Sequence, residues 1–322
     1  MNILITSAGK RVSLIKIFKS EAVKLDSSAQ IMATDANPNL SAACQVADAS
    51  FKVPKVSDPS YVSILLNICK ENSIDLIIPT IDTELLILAE NEKLFQNAGA
   101  IPVICDTDFI GKCRDKRLIH DFFNEKGIGV AHEYEKNDYK FPLFIKPSDG
   151  SRSEDTFLVQ DKKFMRDRFF EEERFMFLEY ISPEVFSEYT CDLYYDKSSI
   201  LRCIVPRKRI EVRDGEVNKG LTERNSIIPY IKEKMSHIEG ARGCLTVQFF
   251  KEKTGERIVG IEVNPRFGGG YPLSYLAGAN FPKWIIEEYL LNKKLEDQFD
   301  SWESNLLMLR YDNEILVHDF QH

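Results

Sequence analysis

Gln248, Glu262 and Asn264 are the residues whose types and spacing point most directly to chemistry. They lie in residues 246–266, TVQFFKEKTGERIVGIEVNPR, where two arms flank a turn containing Gly255. A strand alternates its side chains with period two, so Glu262 and Asn264 leave one face and Val263 the other. Arg266 is placed to continue the first row. A hairpin centred on Gly255 sets Gln248 opposite Glu262, at the roughly 4.5–5.5 Å Cβ separation of facing strand residues. One carboxylate and two amide carbonyls then gather as hard oxygen donors, a set that suits Mg²⁺ shared with phosphate and water. No Cys or His joins them, which disfavours zinc. The alternative is a solvent-facing polar stripe. Pro265 ends a ladder, and Phe267-Gly268-Gly269-Gly270 lets backbone approach a ligand closely; both favour a site.

Other charged residues have positions that invite a role. Lys146 ends an apolar strand at 143–147, just before the polar loop SDGSRSED, and Lys116 sits in a helical stretch at 108–126. Arg207, Lys208, Arg209 and Arg213 form the densest basic stretch, and in strand register Arg207 and Arg209 share a face. That face would take an anionic substrate or form a solvated strand edge. The first turn, SAGKR, could hold an anion through backbone N–H groups and Lys10, or be a plain strand–helix turn. Asp82 and Glu84 could contact a substrate amine or stabilise a helix N-terminus. His120, His132, Glu133, His318 and His322 are assigned nothing.

The elements that must position these residues follow from hydrophobic period. Strands at 2–6, 31–34, 76–79 and 102–105 alternate with helices at 12–18, 61–70 and 84–97, which implies a parallel doubly wound sheet. Such sheets bind ligands beyond the carboxyl ends of their strands, where the turns 7–11, 35–39 and 80–84 lie. After Cys105 the pattern becomes α+β with antiparallel strands at 156–160, 175–181, 188–195 and 200–204. A charged helix at 162–173 follows the first of these, and the tail predicts a helix at 282–291 and strands at 305–310 and 314–317. The 322 residues, 43% hydrophobic and 29% charged, fit a globular chain of two or three domains and exclude a disordered one. A net charge of −8 argues against nucleic acid or membrane as a partner. Seven scattered cysteines without a CxxC pair support neither disulfides nor zinc. No signal-like or membrane-spanning apolar run is present, so a cytoplasmic location is expected.

The VQF…IEVNPR segment resembles the signature of the ATP-grasp superfamily, as found in carboxylate–amine ligases and the carbamoyl phosphate synthase large chain. Further motifs occur in the order that family shows. The resemblance implies a Rossmann-like pre-ATP-grasp domain over residues 1–106, a small nucleotide-covering lobe over 107–182 and a C-terminal metal and substrate lobe over 183–322. It implies that Lys116 and Lys146 meet the nucleotide phosphates, Gly150 and Ser151 belong to a glycine-rich loop, and Glu179, Tyr180 and Ile181 read the adenine edge. Glu188 would bind ribose, and Lys219 and Gly220 would form a loop over the nucleotide. Gln248, Glu262 and Asn264 would hold Mg²⁺ (or Mn²⁺), with Arg266 and Lys146 catalytic. The activity implied is ATP-dependent activation of a carboxylate as an acylphosphate for attack by an amine, both small molecules. Where the family's loop is usually rich in glycine, this one has Arg152 and Asp155, and Glu154 and Asp155 would repel phosphate unless turned outward. That departure leaves open a non-catalytic ATP-binding regulator or subunit. A nicotinamide-dependent dehydrogenase is disfavoured: Asp35 stands where a ribose-binding acid would, but the first turn lacks the glycine fingerprint. A homodimer is the base-rate oligomeric state.

Overall fold

The computed structural model describes residues 1–150, 155–213 and 215–320. The first block comprises β1 (Asn2–Thr6), α1 (Val12–Leu25), β2 (Gln30–Asp35), α2 (Ala42–Val46), β3 (Ala49–Lys52), α3 (Tyr61–Glu71), β4 (Leu76–Pro79), α4 (Asp82–Glu90), α5 (Glu92–Asn97) and β5 (Ile101–Pro102). The strands form a parallel sheet in the order β3-β2-β1-β4-β5. β1 is the central strand, covered on both faces, which is why NILIT reads as a continuous apolar run. β3 escapes sequence reading because it is an edge strand with alternate residues exposed and only two apolar side chains. The helical stretch at 84–97 is two helices, α4 and α5, broken at Asn91, whose side-chain amide donates to the Ile87 carbonyl.

The chain continues with α6 (Thr107–Arg114), α7 (Lys116–Glu125), β6 (Glu133–Tyr134), β7 (Leu143–Pro147), β8 (Phe157–Val159), α8 (Asp167–Glu171) and β9 (Phe175–Glu179). Strands β6-β9-β7-β8 make a small antiparallel sheet. The charged stretch at 162–173 is a 3-10 turn, Lys162–Phe164, followed by the short α8. The last block is β10 (Phe186–Tyr195), β11 (Leu201–Arg213), β12 (Glu216–Thr222), α9 (Ile227–Lys234), β13 (Gly243–Glu252), β14 (Ile258–Asn264), α10 (Tyr271–Leu276), α11 (Phe281–Tyr289) and β15 (Leu307–Leu309). Its six strands run antiparallel in the order β14-β13-β10-β11-β12-β15. In the tail only residues 307–309 of the expected 305–310 strand form a ladder, by pairing with β12, and residues 314–317 form none.

Two shared cores weld the first sheet to the six-stranded one. Leu4 and Ile77 pack with Leu193, Leu245 and Phe249, while on the other face Ile3 and Phe18 pack with Phe267, Tyr271 and Trp284. The small sheet closes a core of its own around Leu143, Ile145, Phe169, Phe175 and Phe177. All seven cysteines are free thiols. Among the described residues no helix is long and apolar enough to cross a membrane.

Candidate active site

A cavity of about 890 Å³ is lined by residues of the two antiparallel sheets and by the segments that follow β1 and β4 of the parallel one. On one wall, β7 carries Lys146 in at its carboxyl end, where the side chain is only 7% exposed. The break between α6 and α7 brings in the second lysine. Asp115 caps α7 by accepting from the Arg117 and Leu118 amides, which leaves Lys116 as the first helical residue. The Lys116 Nζ donates to the Gly150 carbonyl, and its backbone N–H to the Ser148 carbonyl at 2.9 Å. Burial lowers both ammonium groups, Lys146 to about 8; Glu262 across the cavity pulls each back up, and the mutual repulsion of the two lysines pushes Lys146 down further.

His120 also lines this wall, buried one helical turn from Lys116, and sequence reading gave it no role. Its i, i+4 spacing from Lys116 was the available signal. Burial, and then Lys146, lower it to about 4, so at neutral pH it packs under the lysines without adding a third charge.

The opposite wall is the β13–β14 hairpin. Its register pairs Gln248 with Glu262 and Thr246 with Asn264, as period and symmetry required. One carboxylate oxygen, Glu262 Oε1, accepts from Gln248 Nε2 at 2.7 Å and from Asn264 Nδ2 at 3.0 Å. Three hard-donor side chains therefore meet at one point facing Lys146 and Lys116. Amide rotation alone would turn the two carbonyl oxygens toward a cation, so the donor set fits Mg²⁺. Among the described residues no group of three or more His, Cys, Asp or Glu gathers anywhere, so a cation here would need further oxygens from a phosphate or water.

Arg266 leaves the row. Pro265 ends the strand, the Arg266 N–H turns back to the Asn264 carbonyl at 2.8 Å, and Thr246 Oγ1 donates to the Arg266 carbonyl. The guanidinium crosses to the first sheet and binds Asp82 through Nη2 at 2.6 Å and Nε at 3.1 Å. Asp82 is thus a cavity residue, whereas Glu84 turns into the core against the Tyr61 hydroxyl, where burial raises its carboxyl above the usual range.

Glu179, Tyr180, Ile181 and Glu188 all line the cavity. The Glu179 carboxylate is gripped by both terminal nitrogens of Arg257, at 2.8 and 2.7 Å, and Lys253 Nζ donates to the Pro183 and Glu184 carbonyls. Glu188 lies 3.2 Å from Arg209; burial raises its carboxyl and Arg209 opposes that rise. Gly150 lines the cavity, while Ser151, Arg152 and Glu154 lie outside the described residues. Asp155 does turn away from a phosphate site. It accepts from Arg174 at 2.8 Å and from Arg168 at 3.3 Å.

Lys219 and Gly220 need correction. They lie in strand β12, not in a loop, because they continue the antiparallel ladder with β11. Lys219 Nζ is paired with Glu211 at 2.6 Å, and neither residue is part of the cavity wall. Gly215, Glu216 and Val217, at the start of that strand, line it instead. The first turn is also no backbone anion site. Its Gly9 N–H is taken by the Asp35 carboxylate at 2.9 Å, which gives Asp35 a turn-capping role, and its Ala8 N–H by the Thr34 carbonyl. Of this turn, Lys10 and Arg11 line the cavity. Arg207 is 1% exposed and makes a two-bond ion pair with Asp192, Nε to Oδ2 at 2.7 Å and Nη2 to Oδ1 at 3.0 Å. Lys208 and Arg213 are not part of the cavity wall.

Residues 3–104 match the family model described as "PylC-like, N-terminal domain", and residues 171–308 the model "ATP-grasp in the biosynthetic pathway with Ter operon". No curated protein matches the chain in sequence. Among solved structures it is similar to a Rhizobium etli pyruvate carboxylase, at 14% identity and a TM-score of 0.69, over 95% of this chain but only 30% of that one. It is similar to N5-carboxyaminoimidazole synthetase from Staphylococcus aureus complexed with ADP, at 17% identity and 0.68, over 92% of this chain and 78% of that one. It is also similar to an L-amino acid ligase from Bacillus licheniformis, at 16% identity and 0.67, over 92% and 75%.

Proposed function

We propose that the chain, whose residues 171–308 match an ATP-grasp family model, is an ATP-grasp protein and an ATP- and Mg²⁺-dependent ligase that joins a carboxylic acid to an amine. The observation that carries this reading is one cavity with two lysines on one wall, Lys146 buried and Lys116 half-buried, and the Gln248–Glu262–Asn264 cluster on the other. In the proposed reaction a carboxylate oxygen attacks the γ-phosphorus of ATP and ADP leaves. An amine nitrogen then attacks the acyl carbon and inorganic phosphate leaves, with the amine proton passing to solvent or base. Such chemistry asks the protein for alignment and charge neutralisation. Lys116 and Lys146 would neutralise the α- and β-phosphates, and Gly150 and Ser151 would bind the nucleotide. The 179–181 backbone would face the adenine edge and Glu188 the ribose. Arg266, steered by Asp82, would stabilise the transferring phosphoryl group and the acylphosphate. Glu262, Gln248 and Asn264 would hold Mg²⁺, which would supply positive charge to neutralise the phosphates. The domain limits at residues 106 and 182, the cytoplasmic location and the homodimer belong to the same reading.

The test is incubation with ATP, Mg²⁺ and panels of acids and amines, with ADP and phosphate measured. Substrate-dependent release is the expected result. Tight ATP binding without turnover across the panel would favour a non-catalytic nucleotide-binding role.

The lysine pair also sets a pH dependence. Phosphate binding needs Lys146 protonated, and in the empty site that proton is lost as pH rises through about 8. The dissociation constant for ATP should therefore rise by up to roughly tenfold per pH unit above that point. Lys146→Arg, which keeps its charge, should flatten the profile; calorimetric titration across the range checks both. The sign for stability is opposite. The folded lysine binds fewer protons than the unfolded one between about 8 and 10.5, so its contribution to the empty protein's stability improves across that window.

A further inference from the structure

Beyond the nucleotide and metal walls, the cavity end nearest the first sheet holds more positive charge than its carboxylates can absorb. Three cations share Glu216: Arg310 at 3.0 Å, Lys10 at 3.7 Å and Arg11 at 3.8 Å. The neighbouring arginines take up none of that surplus's partners and offer none, since Arg266 is paired with Asp82, Arg207 with Asp192 and Arg209 with Glu188. Arg11 is lowered by burial and then by its proximity to Arg266, the mark of a cation crowded by another.

Arg207 supplies an independent observation. Its Nε and Nη2 are fixed by Asp192, which Ser274 also holds at 2.5 Å, while its buried Nη1 has no hydrogen-bond partner. Arg207 is part of the cavity wall, and Nη1 is the one nitrogen of its guanidinium that Asp192 leaves unpartnered. Both guanidinium groups lie against the glycine run: a Cβ on Gly269 would lie 2.6 Å from Arg11 Nη1, and one on Gly270 would lie 2.2 Å from Arg207 Nη1.

Resting on the ligase reading, we propose that the acid this protein activates carries a second anionic group, a carboxylate or a phosphate, bound by Arg11 and Arg207 over the Gly268–Gly270 backbone. The reacting carboxylate must face the γ-phosphate beside Lys146 and the Glu262 cluster. The Arg11–Arg207 pair lies toward the first sheet and is left to a different group of the same molecule. Two guanidinium groups on one cavity wall, both against the same glycine run, offer donors to the several acceptor oxygens of an anion.

Hydroxylamine tests this without knowledge of the amine, because it captures an acylphosphate as a hydroxamate. The acids are succinate, glutarate, L-aspartate, L-glutamate and O-phospho-L-serine, set against butyrate, L-asparagine, L-glutamine and L-serine. The dianions should show KM values at least tenfold lower. Arg11→Ala should erase that advantage and leave the KM for ATP unchanged, and Arg11→Lys should retain part of it. The phosphoserine arm separates phosphate from carboxylate as the second group. Equal use of both sets, or a preference that survives Arg11→Ala, overturns the proposal. If no acid yields hydroxamate, the ligase reading fails, and calorimetry with the same dianions decides the site: binding to wild type but not to Arg11→Ala upholds an anion site, and binding to neither overturns it.

Discussion

Glu262→Ala should lower kcat/KM for ATP turnover by about 10³-fold, the scale on which removal of an organising charge from a phosphoryl-transfer site acts. Glu262 is the only carboxylate of its cluster, and the amides of Gln248 and Asn264 are both anchored on one of its oxygens. Its loss removes the charge that would attract a divalent cation and also the acceptor that orders the two amides. Asn264→Ala should act in the same direction with a smaller effect, because the carboxylate stays. Both side chains are partly exposed at the cavity wall, so melting temperatures should move little. ADP release measured against Mg²⁺ concentration checks the assignment: undiminished turnover, or an unchanged Mg²⁺ requirement, would refute it.

Asp192→Ala should destabilise the fold by about 3–5 kcal/mol, because it strands a buried guanidinium. Asp192 is fully buried and receives Arg207 through two bonds and Ser274 through a third. For a chain of this size that loss corresponds to a fall in melting temperature on the order of 10 °C. The triple change Asp192→Leu, Arg207→Met and Ser274→Ala removes both charges and should recover much of the loss, since apolar side chains of similar volume often replace a buried ion pair at little cost. Thermal unfolding of the variants decides it; a single variant as stable as wild type would show that the pair carries no such weight.

The cluster on β13 and β14 could be read from sequence because all its information is local. A two-residue period and a turn at Gly255 fix which side chains face each other. Lys146 could be read for the same reason, as a polar end to an apolar strand. Arg207 could not. Its neighbours in sequence are basic and suggest a solvated edge, whereas its burial depends on Asp192 on β10 and Ser274 on α10, residues that only the tertiary fold brings together. The reading of Lys219 and Gly220 as a loop was carried over from the resemblance and failed because these residues continue the ladder of β12 with β11. β3 was missed because edge strands need little apolar surface. The parallel sheet and the antiparallel blocks were legible because their core strands are continuous or alternating in hydrophobicity.

The turn joining β13 to β14 has a mechanical consequence. One end of this ribbon carries the oxygen donors; at the other, Arg257 and Lys253 fasten the segment from Glu179 to Glu184. Sliding the small sheet along the large one would tear those bonds, whereas a swing about the fastening would keep them. Under such a swing Tyr180 and Ile181, next to Glu179, would move less than Lys146 and Gly150.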